Sequence, residues 1–201
     1  MINTNLQQQE NNMTHTQTSI VEQLKDVVKK KKDNIFVTWH EADGSVGSEY
    51  TFGELWEAAG LISHKLRNEW GVKKGEKVVL CYGTGLHFFG VFLGCIRAGV
   101  VAVLVYPPTP PLAKSLAKMT KVISDCNPTL ILTDTQIYAF KKLDEITPFS
   151  KSRDMWPQGV EYKVTDLWKK SFWGKTSTKC FDEPCIGLND VAFYQYTVSG
   201  L

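Results

Sequence analysis

The chain has 201 residues, of which 43% are hydrophobic and 22% are charged. This composition excludes a disordered or fibrous chain, and the length suits one ordinary domain. With 23 basic and 21 acidic residues the net charge is only +2, so the sequence provides no broad charged surface for nucleic acid or acidic lipid, and we expect neither as a partner.

The N-terminal segment is polar and rich in Gln and Asn, without the blocks of a secretory signal, so residues 1–18 are expected to form a disordered leader. Ser19 and Glu22 then match a capping box, and apolar residues at helical spacing follow, which predicts an amphipathic helix. The helix ends in a lysine run, residues 29–32. This run could be a localisation or nucleic-acid patch, but a solvated helix end that complements the macrodipole is the favoured interpretation.

A hairpin is predicted next, with strands at Ile35–Trp39 and Glu49–Phe52 around the turn at Asp43-Gly44. Thr51 and Glu54 repeat the capping-box pattern. Apolar residues at helical spacing follow as far as Gly71. The sequence therefore predicts a second amphipathic helix that stops at this glycine.

From Lys77 onward the pattern changes to short apolar runs that alternate with helical segments. Lys77–Tyr82 and Val100–Val105 are predicted strands, joined by a helix at Leu86–Ala98, which is the parallel crossover unit. Residues 86–106 are apolar enough to suggest a membrane span, but Arg97 lies near their middle, where a charge is costly. No membrane span is therefore predicted.

Prolines at 107–111 interrupt the chain, and a third helix is predicted from Leu112 to about Cys126. Further strands are predicted at Thr129–Thr133, Tyr162–Val164 and Asp190–Thr197. The expected fold class is α/β, a mostly parallel sheet flanked by helices.

Candidate catalytic and metal-ligating residues are sparse. The four histidines are scattered without metal-ligand spacing, and the five cysteines form no C-x-x-C pair with matching histidines. We expect free thiols, a cytoplasmic location and no metal site.

Gly83-Thr84-Gly85 could open a dinucleotide-binding turn, but the third glycine of that fingerprint is missing, so a packing turn is favoured. Large aromatic residues could line an acyl tunnel or a partner surface, although core packing is favoured for each: Tyr106, Trp156, Trp168 and Trp173.

Three runs of sequence resemble, in this order, segments of the adenylate-forming superfamily. Residues 50–55 read YTFGEL, residues 85–108 read GLHFFGVFLGCIRAGVVAVLVYPP, and residues 190–200 read DVAFYQYTVSG. The superfamily includes acyl-CoA synthetases, luciferases, peptide-synthetase adenylation domains and fatty acyl-AMP ligases. The Tyr106-Pro107-Pro108 ending resembles the fatty acyl-AMP ligases most, although Leu104 stands where those relatives usually have proline.

The third run is similar to the strand that enters the phosphate loop of that family, Q-Y-T-S-G-S-T-G-x-P-K-G. Here Val198 intrudes before Ser199-Gly200, and Leu201 replaces the next serine. The resemblance implies that Thr197, Ser199 and Gly200 are the remaining residues of a phosphate site. No residue of the chain is predicted to be catalytic.

Residues 19–201 are accordingly expected to be the N-terminal portion of an AMP-binding adenylation domain that is truncated at the phosphate loop. The resemblance implies a parent enzyme that uses ATP and Mg²⁺ to convert a fatty acid or another carboxylic acid into an acyl-adenylate. Acyl carrier protein or CoA would then accept the acyl group. The chain by itself is expected to be inactive. The alternative is a non-catalytic, truncated or pseudoenzyme domain that binds a partner.

Overall fold

The computed structural model describes residues 18–166 and 184–197 of the chain. The predicted leader lies outside the described residues apart from Thr18 and stays a prediction, as does the domain boundary. The strands are β1 Ile35–His40, β2 Val46–Thr51, β3 Lys77–Cys81, β4 Val101–Val105, β5 Leu130–Thr133, β6 Glu161–Val164 and β7 Phe193–Gln195. The α-helices are α1 Ile20–Lys31, α2 Phe52–His64, α3 His87–Ala98, α4 Leu112–Cys126 and α5 Thr135–Ile146; a π-helical turn, Lys65–Glu69, extends α2, and Arg153–Met155 form a 3₁₀ turn.

The strands form two sheets. β1 and β2 pair antiparallel as the predicted hairpin. The other five strands form a parallel sheet in the order β6-β5-β3-β4-β7. Helices α3, α4 and α5 lie between successive strands from β3 to β6, as parallel pairing requires. The predicted α/β class and the β3-α3-β4 crossover are therefore confirmed.

The helix starts follow the local capping signals in the sequence. Ser19 and Thr51 cap α1 and α2, and each forms the reciprocal capping box with the glutamate three residues later. In the second box, the Thr51 N–H donates to Glu54 Oε2 at 2.9 Å, and the Glu54 N–H donates to Thr51 Oγ1 at 3.2 Å. Both predicted N-termini are confirmed. Gly99 ends α3 in the left-handed conformation, with φ 68°.

Each face of the parallel sheet supports its own apolar layer. On one face, Val78, Leu80 and residues of α2 and α3 form one core cluster. On the other face, Val79, Cys81 and the buried side of α4 form a second. Within the described part of the chain no helix is long and apolar enough to cross a membrane.

Arg97, the charge that counted against a membrane span, is buried in this packing, with 5% of its surface exposed. Its guanidinium lies 3.7 Å from the centroid of the Trp56 ring and donates a hydrogen bond to the Trp56 carbonyl. In these two contacts the cation is stabilised by a stacked indole and a backbone oxygen.

Three expectations need correction. Helix α5 had no counterpart in the sequence prediction, although Asp134 caps it by accepting from the Ile137 N–H. The final strand is only Phe193–Gln195, shorter than the predicted Asp190–Thr197. Tyr106 is 94% exposed rather than packed in the core, because the following prolines carry the chain away from the sheet. Trp156, by contrast, is buried as expected, while Trp168 and Trp173 lie outside the described residues.

The cysteines in the described segments are free thiols. Cys81, Cys95 and Cys126 are buried, and Cys185 is exposed. Burial raises the pKa of the Cys81 and Cys95 thiols to about 12, so both stay protonated and unreactive at neutral pH.

Candidate functional site

The carboxyl ends of the parallel strands meet at one edge of the sheet, the edge at which open α/β sheets bind ligands. A cleft of about 380 Å³ opens there beside β4 and β7. We call it the proline cleft. Its lining is mostly apolar and comes from the end of β4, the proline segment, α4 and the residue after β7: Leu104, Val105, Tyr106, Pro107, Thr109, Pro110, Pro111, Lys114, Ser115, Lys118, Met119, Val122 and Tyr196.

Ser115 holds the proline segment against α4. Its hydroxyl donates to the Thr109 carbonyl at 2.8 Å and accepts from the Thr109 N–H at 3.2 Å. Lys114 and Lys118, one helical turn apart, add positive charge to the lining. In the described ranges neither lysine has a carboxylate within ion-pair distance. The cleft therefore combines an apolar interior with uncompensated positive charge.

Thr197 is the one predicted phosphate-site residue that the structure describes. It lies two positions after β7 and is exposed at the carboxyl edge of the sheet, next to Tyr196 in the wall of the cleft. Ser199 and Gly200 lie outside the described residues, so their predicted role stays a prediction. Thr197 thus lies at the edge of the sheet where open α/β folds bind ligands, and its role in a phosphate site stays a prediction.

Tyr196 makes a contact that sequence reasoning missed. Its hydroxyl donates to the carboxylate of Asp125, in the last turn of α4. The hydrogen bond to Asp125, with a further contribution from burial, raises the pKa of Tyr196 to about 12. The phenol therefore keeps its proton and remains a donor at neutral pH. No local signal predicts this pair, because its members are 71 positions apart.

A second cleft, of about 400 Å³, opens at the same edge beside β3, β5 and the hairpin. Asp134 in its wall accepts hydrogen bonds from the Gly83 N–H at 3.1 Å and the Ile137 N–H at 2.8 Å. These bonds tie the Gly83-Thr84-Gly85 turn to the start of α5. The turn therefore packs against a carboxylate, which agrees with the favoured interpretation.

Residues 18–166 and 184–197 contain no obvious set of metal ligands. No three His, Cys, Asp or Glu side chains in these ranges lie close enough together to hold an ion. Mg²⁺ in nucleotide sites commonly takes one or two protein carboxylates together with substrate phosphates. The described residues therefore supply no separate metal cage. The expectation that the chain has no metal site stays a prediction.

A match to a known family shows the class of protein. Residues 24–200 match the family described as AMP-binding enzyme. The chain belongs to this family, which is ATP-dependent and adenylate-forming.

The individual relatives include fatty-acid ligases. The medium-chain-fatty-acid–[acyl-carrier-protein] ligase JamA of Moorena producens is 28% identical over 148 residues, which are 73% of this chain and 23% of that protein. Disco-interacting protein 2 homolog B-A of Danio rerio is 26% identical over 129 residues, 64% of this chain and 8% of that protein.

A solved structure shares the fold. The fatty acyl-adenylate ligase of L. pneumophila, crystallised with acyl adenylate and pyrophosphate, superposes with a TM-score of 0.68 and 24% identity. The alignment covers 89% of this chain and 28% of that one. The chain thus spans less than a third of each of these proteins.

Proposed function

We propose that the chain is the first, ATP-facing part of an enzyme that joins ATP to a fatty acid, forming an acyl-adenylate and releasing pyrophosphate. The observation that carries this proposal is the position of Thr197, at the carboxyl edge of the sheet in a chain that matches the AMP-binding family over residues 24–200. The JamA relative, a ligase of medium-chain fatty acids and acyl carrier protein, supports a fatty acid as the substrate. The acceptor of the acyl group would be a carrier protein or CoA, and the predicted cytoplasmic location stays part of the proposal.

The residues of the chain would act by positioning. Thr197, followed by Ser199 and Gly200, would place hydroxyl and backbone N–H groups around the ATP phosphates, as glycine-containing phosphate loops do. ATP would supply the α-phosphorus that the carboxylate attacks, and Mg²⁺ would screen the phosphate charge. The contribution of this part of the protein is then orientation and electrostatic stabilisation, with no covalent step on its side chains.

We further propose that the chain alone does not complete the reaction. It spans 23% of the JamA ligase and 28% of the L. pneumophila ligase, so most of each of those proteins has no counterpart here. The groups that hold the acyl chain and stabilise charge at the reacting centre would come from those further segments.

Calorimetric titration with ATP, in the presence of Mg²⁺ and a long-chain fatty acid, tests this proposal on the purified chain. Pyrophosphate release is measured on the same sample. We expect no acid-dependent pyrophosphate release, and we expect any ATP binding to weaken in Thr197→Ala. The matched control is Thr84→Ala, which removes an exposed hydroxyl from the same edge of the sheet. Equal ATP affinity in both variants would contradict a phosphate role for Thr197, and acid-dependent pyrophosphate release would overturn the proposed incompleteness.

A second candidate function is a non-catalytic module that binds a protein partner. Two observations favour it: the similarity to a relative named for its interaction with another protein, and the exposed apolar side chains around β7. These side chains are Leu188, Val191, Phe193 and Tyr194. A folded chain that binds no ATP under any of the conditions above would favour this candidate over the ligase.

A further inference from the structure

Strand β7, which leads into Thr197, is weakly held by its own ladder. It is three residues long, and β4 is the strand that it pairs with in the described sheet. All three of its residues are exposed, Phe193 by 45%. A ladder this short and this exposed opens easily, as edge segments with little buried apolar surface do. Contacts outside the ladder, which include the packing of the Phe193 ring 5.7 Å from that of Phe92, therefore contribute to where Thr197 lies.

Polar contacts hold the segment at both ends. At the beginning, the Lys74 ammonium pairs with Asp190 at 2.6 Å and donates to the Cys185 carbonyl at 2.8 Å. At the far end, the Tyr196 hydroxyl donates to the Asp125 carboxylate. The second contact involves the residue directly before Thr197. It therefore adds a side-chain contact at the residue where the β7 ladder ends.

Asp125 is well placed to act as a fixed acceptor. It lies in the last turn of α4, a helix of 15 residues whose buried side includes Leu116, Met119 and Val122. A helix packed through that many turns moves as a unit with the sheet. The Tyr196 side chain consequently connects the exposed end of a short strand to a well-packed helix.

The placement of Asp125 is unfavourable for α4 itself. A carboxylate near a helix C-terminus opposes the macrodipole, and no basic residue in the last turn of α4 compensates for it. Helix stability alone therefore gives no reason for an acidic residue at this position. The hydrogen bond to Tyr196 does provide such a reason.

We propose that Asp125 is a positioning residue that acts through the Tyr196 hydroxyl to hold Thr197 at the carboxyl edge of the sheet. The proposal rests on the proposed function of Thr197. Because the bond is between side chains, its loss loosens the segment while the Tyr196 ring can still pack against the second core cluster.

Amide hydrogen exchange of the full 201-residue chain, without nucleotide, tests the tether. Tyr196→Phe and Asp125→Ala remove its two partners, and we expect the amides of residues 195–197 to exchange about tenfold faster, the effect of losing one hydrogen bond of typical strength. Tyr194→Phe is the matched control, because it removes an exposed hydroxyl from the same strand. Asp125→Asn keeps a side-chain oxygen that can accept from Tyr196, and we expect it to restore most of the protection.

A global unfolding measurement on the same variants separates positioning from plain structural support. Asp125→Ala removes a charge that opposes the α4 dipole, so we expect the urea midpoint to stay unchanged or to rise while exchange at residues 195–197 accelerates. If the urea midpoint of Asp125→Ala falls as exchange at residues 195–197 accelerates, the positioning role is overturned. Equal exchange rates of these amides in Tyr196→Phe and Tyr194→Phe would overturn it as well. The exchange experiment contains no nucleotide, so its result does not depend on ATP binding. A chain that fails to bind ATP would count against the proposed function but would still allow the tether to be tested.

Discussion

The centre of the sheet and its outer strand β7 are held by different forces. In β3, β4 and β5 nearly every side chain is buried between α2 and α3 on one face and α4 on the other. In β7 all three residues are exposed, and the surrounding segment combines polar contacts to Lys74 and Asp125 with partial packing of Phe193 and Tyr196. Apolar burial therefore builds the scaffold, whereas directional contacts contribute more to the segment that leads to the predicted phosphate-site residue.

The largest expected difference between the two regions comes from shortening one apolar side chain in each. Leu80→Ala in β3 empties a site that is 1% exposed, and we expect the free energy of unfolding to fall by about 2–5 kcal/mol. Phe193→Ala in β7 removes a half-exposed ring, and we expect a loss of about 1 kcal/mol. Urea denaturation of both variants checks the comparison. Equal losses would mean that β7 belongs to the core.

Close packing in the central region predicts that even one methyl group is too much at Gly94. A Cβ there would lie 2.4 Å from the Ile62 Cβ and 3.0 Å from the Ala59 carbonyl oxygen. We expect Gly94→Ala to reduce the free energy of unfolding by about 1–3 kcal/mol, because α2 and α3 must separate.

The control is Gly90→Ala on the same helix, where the nearest atom is the Ala58 Cβ at 3.1 Å. The better helix propensity of alanine, worth up to about 1 kcal/mol, offsets much of that contact. Thermal or urea unfolding measures the stability of both variants. If Gly90→Ala proves less stable than Gly94→Ala, close packing at Gly94 is contradicted.

Polar contacts also hold the region after α5, which makes its stability depend on pH. Asp144 accepts hydrogen bonds from the Trp156 Nε1–H at 2.8 Å and from the Ser152 hydroxyl at 2.9 Å. Burial raises the pKa of Asp144, but these bonds and that from Ser150 outweigh it and hold the pKa below its ordinary value of 3.8. A lowered folded pKa stabilises the protein above the unfolded pKa, and this contribution is lost as the pH falls through the folded pKa.

Asp144→Asn removes the charge, and we expect a loss of about 1–2 kcal/mol in the free energy of unfolding at pH 7. The difference between the parent chain and the variant should shrink as the pH falls below the ordinary value of 3.8 toward the lower folded pKa, where the buried carboxylate takes up its proton. Urea unfolding at pH 7, 5 and 3 measures it. A difference that stays constant over this range would rule out a role for the charge.

The smallest effect is expected where the segment before β7 meets Lys74. The ion pair with Asp190 is solvent-exposed, so salt and side-chain entropy weaken it. We expect Lys74→Ala to move the urea midpoint by little more than the error of the measurement, and by less at 1 M salt. Lys73→Ala is the neighbouring control. A large shift for Lys74→Ala alone would show that this end of the segment contributes as much as the core.

Local patterns in the sequence were sufficient for most of the scaffold. The capping boxes at Ser19 and Thr51 and the left-handed Gly99 each depend on residues a few positions apart, so the starts of α1 and α2 and the end of α3 could be predicted. Helix α5 was missed because few of its residues are buried, which leaves only a weak helical period. Of the predicted site, Thr197 lies at the expected end of a strand, although that strand is shorter than its alternating pattern suggested.

The sequence by itself determined the α/β class, the order of most elements and the family resemblance, because periodicity, caps and motifs are encoded over short stretches of chain. Only the tertiary structure decided the strand order, the exposure of Tyr106, the stacking of Arg97 on Trp56 and the bond between Tyr196 and Asp125. These features join residues that are tens of positions apart. Their partners are selected by packing of the whole sheet, and no local propensity specifies them.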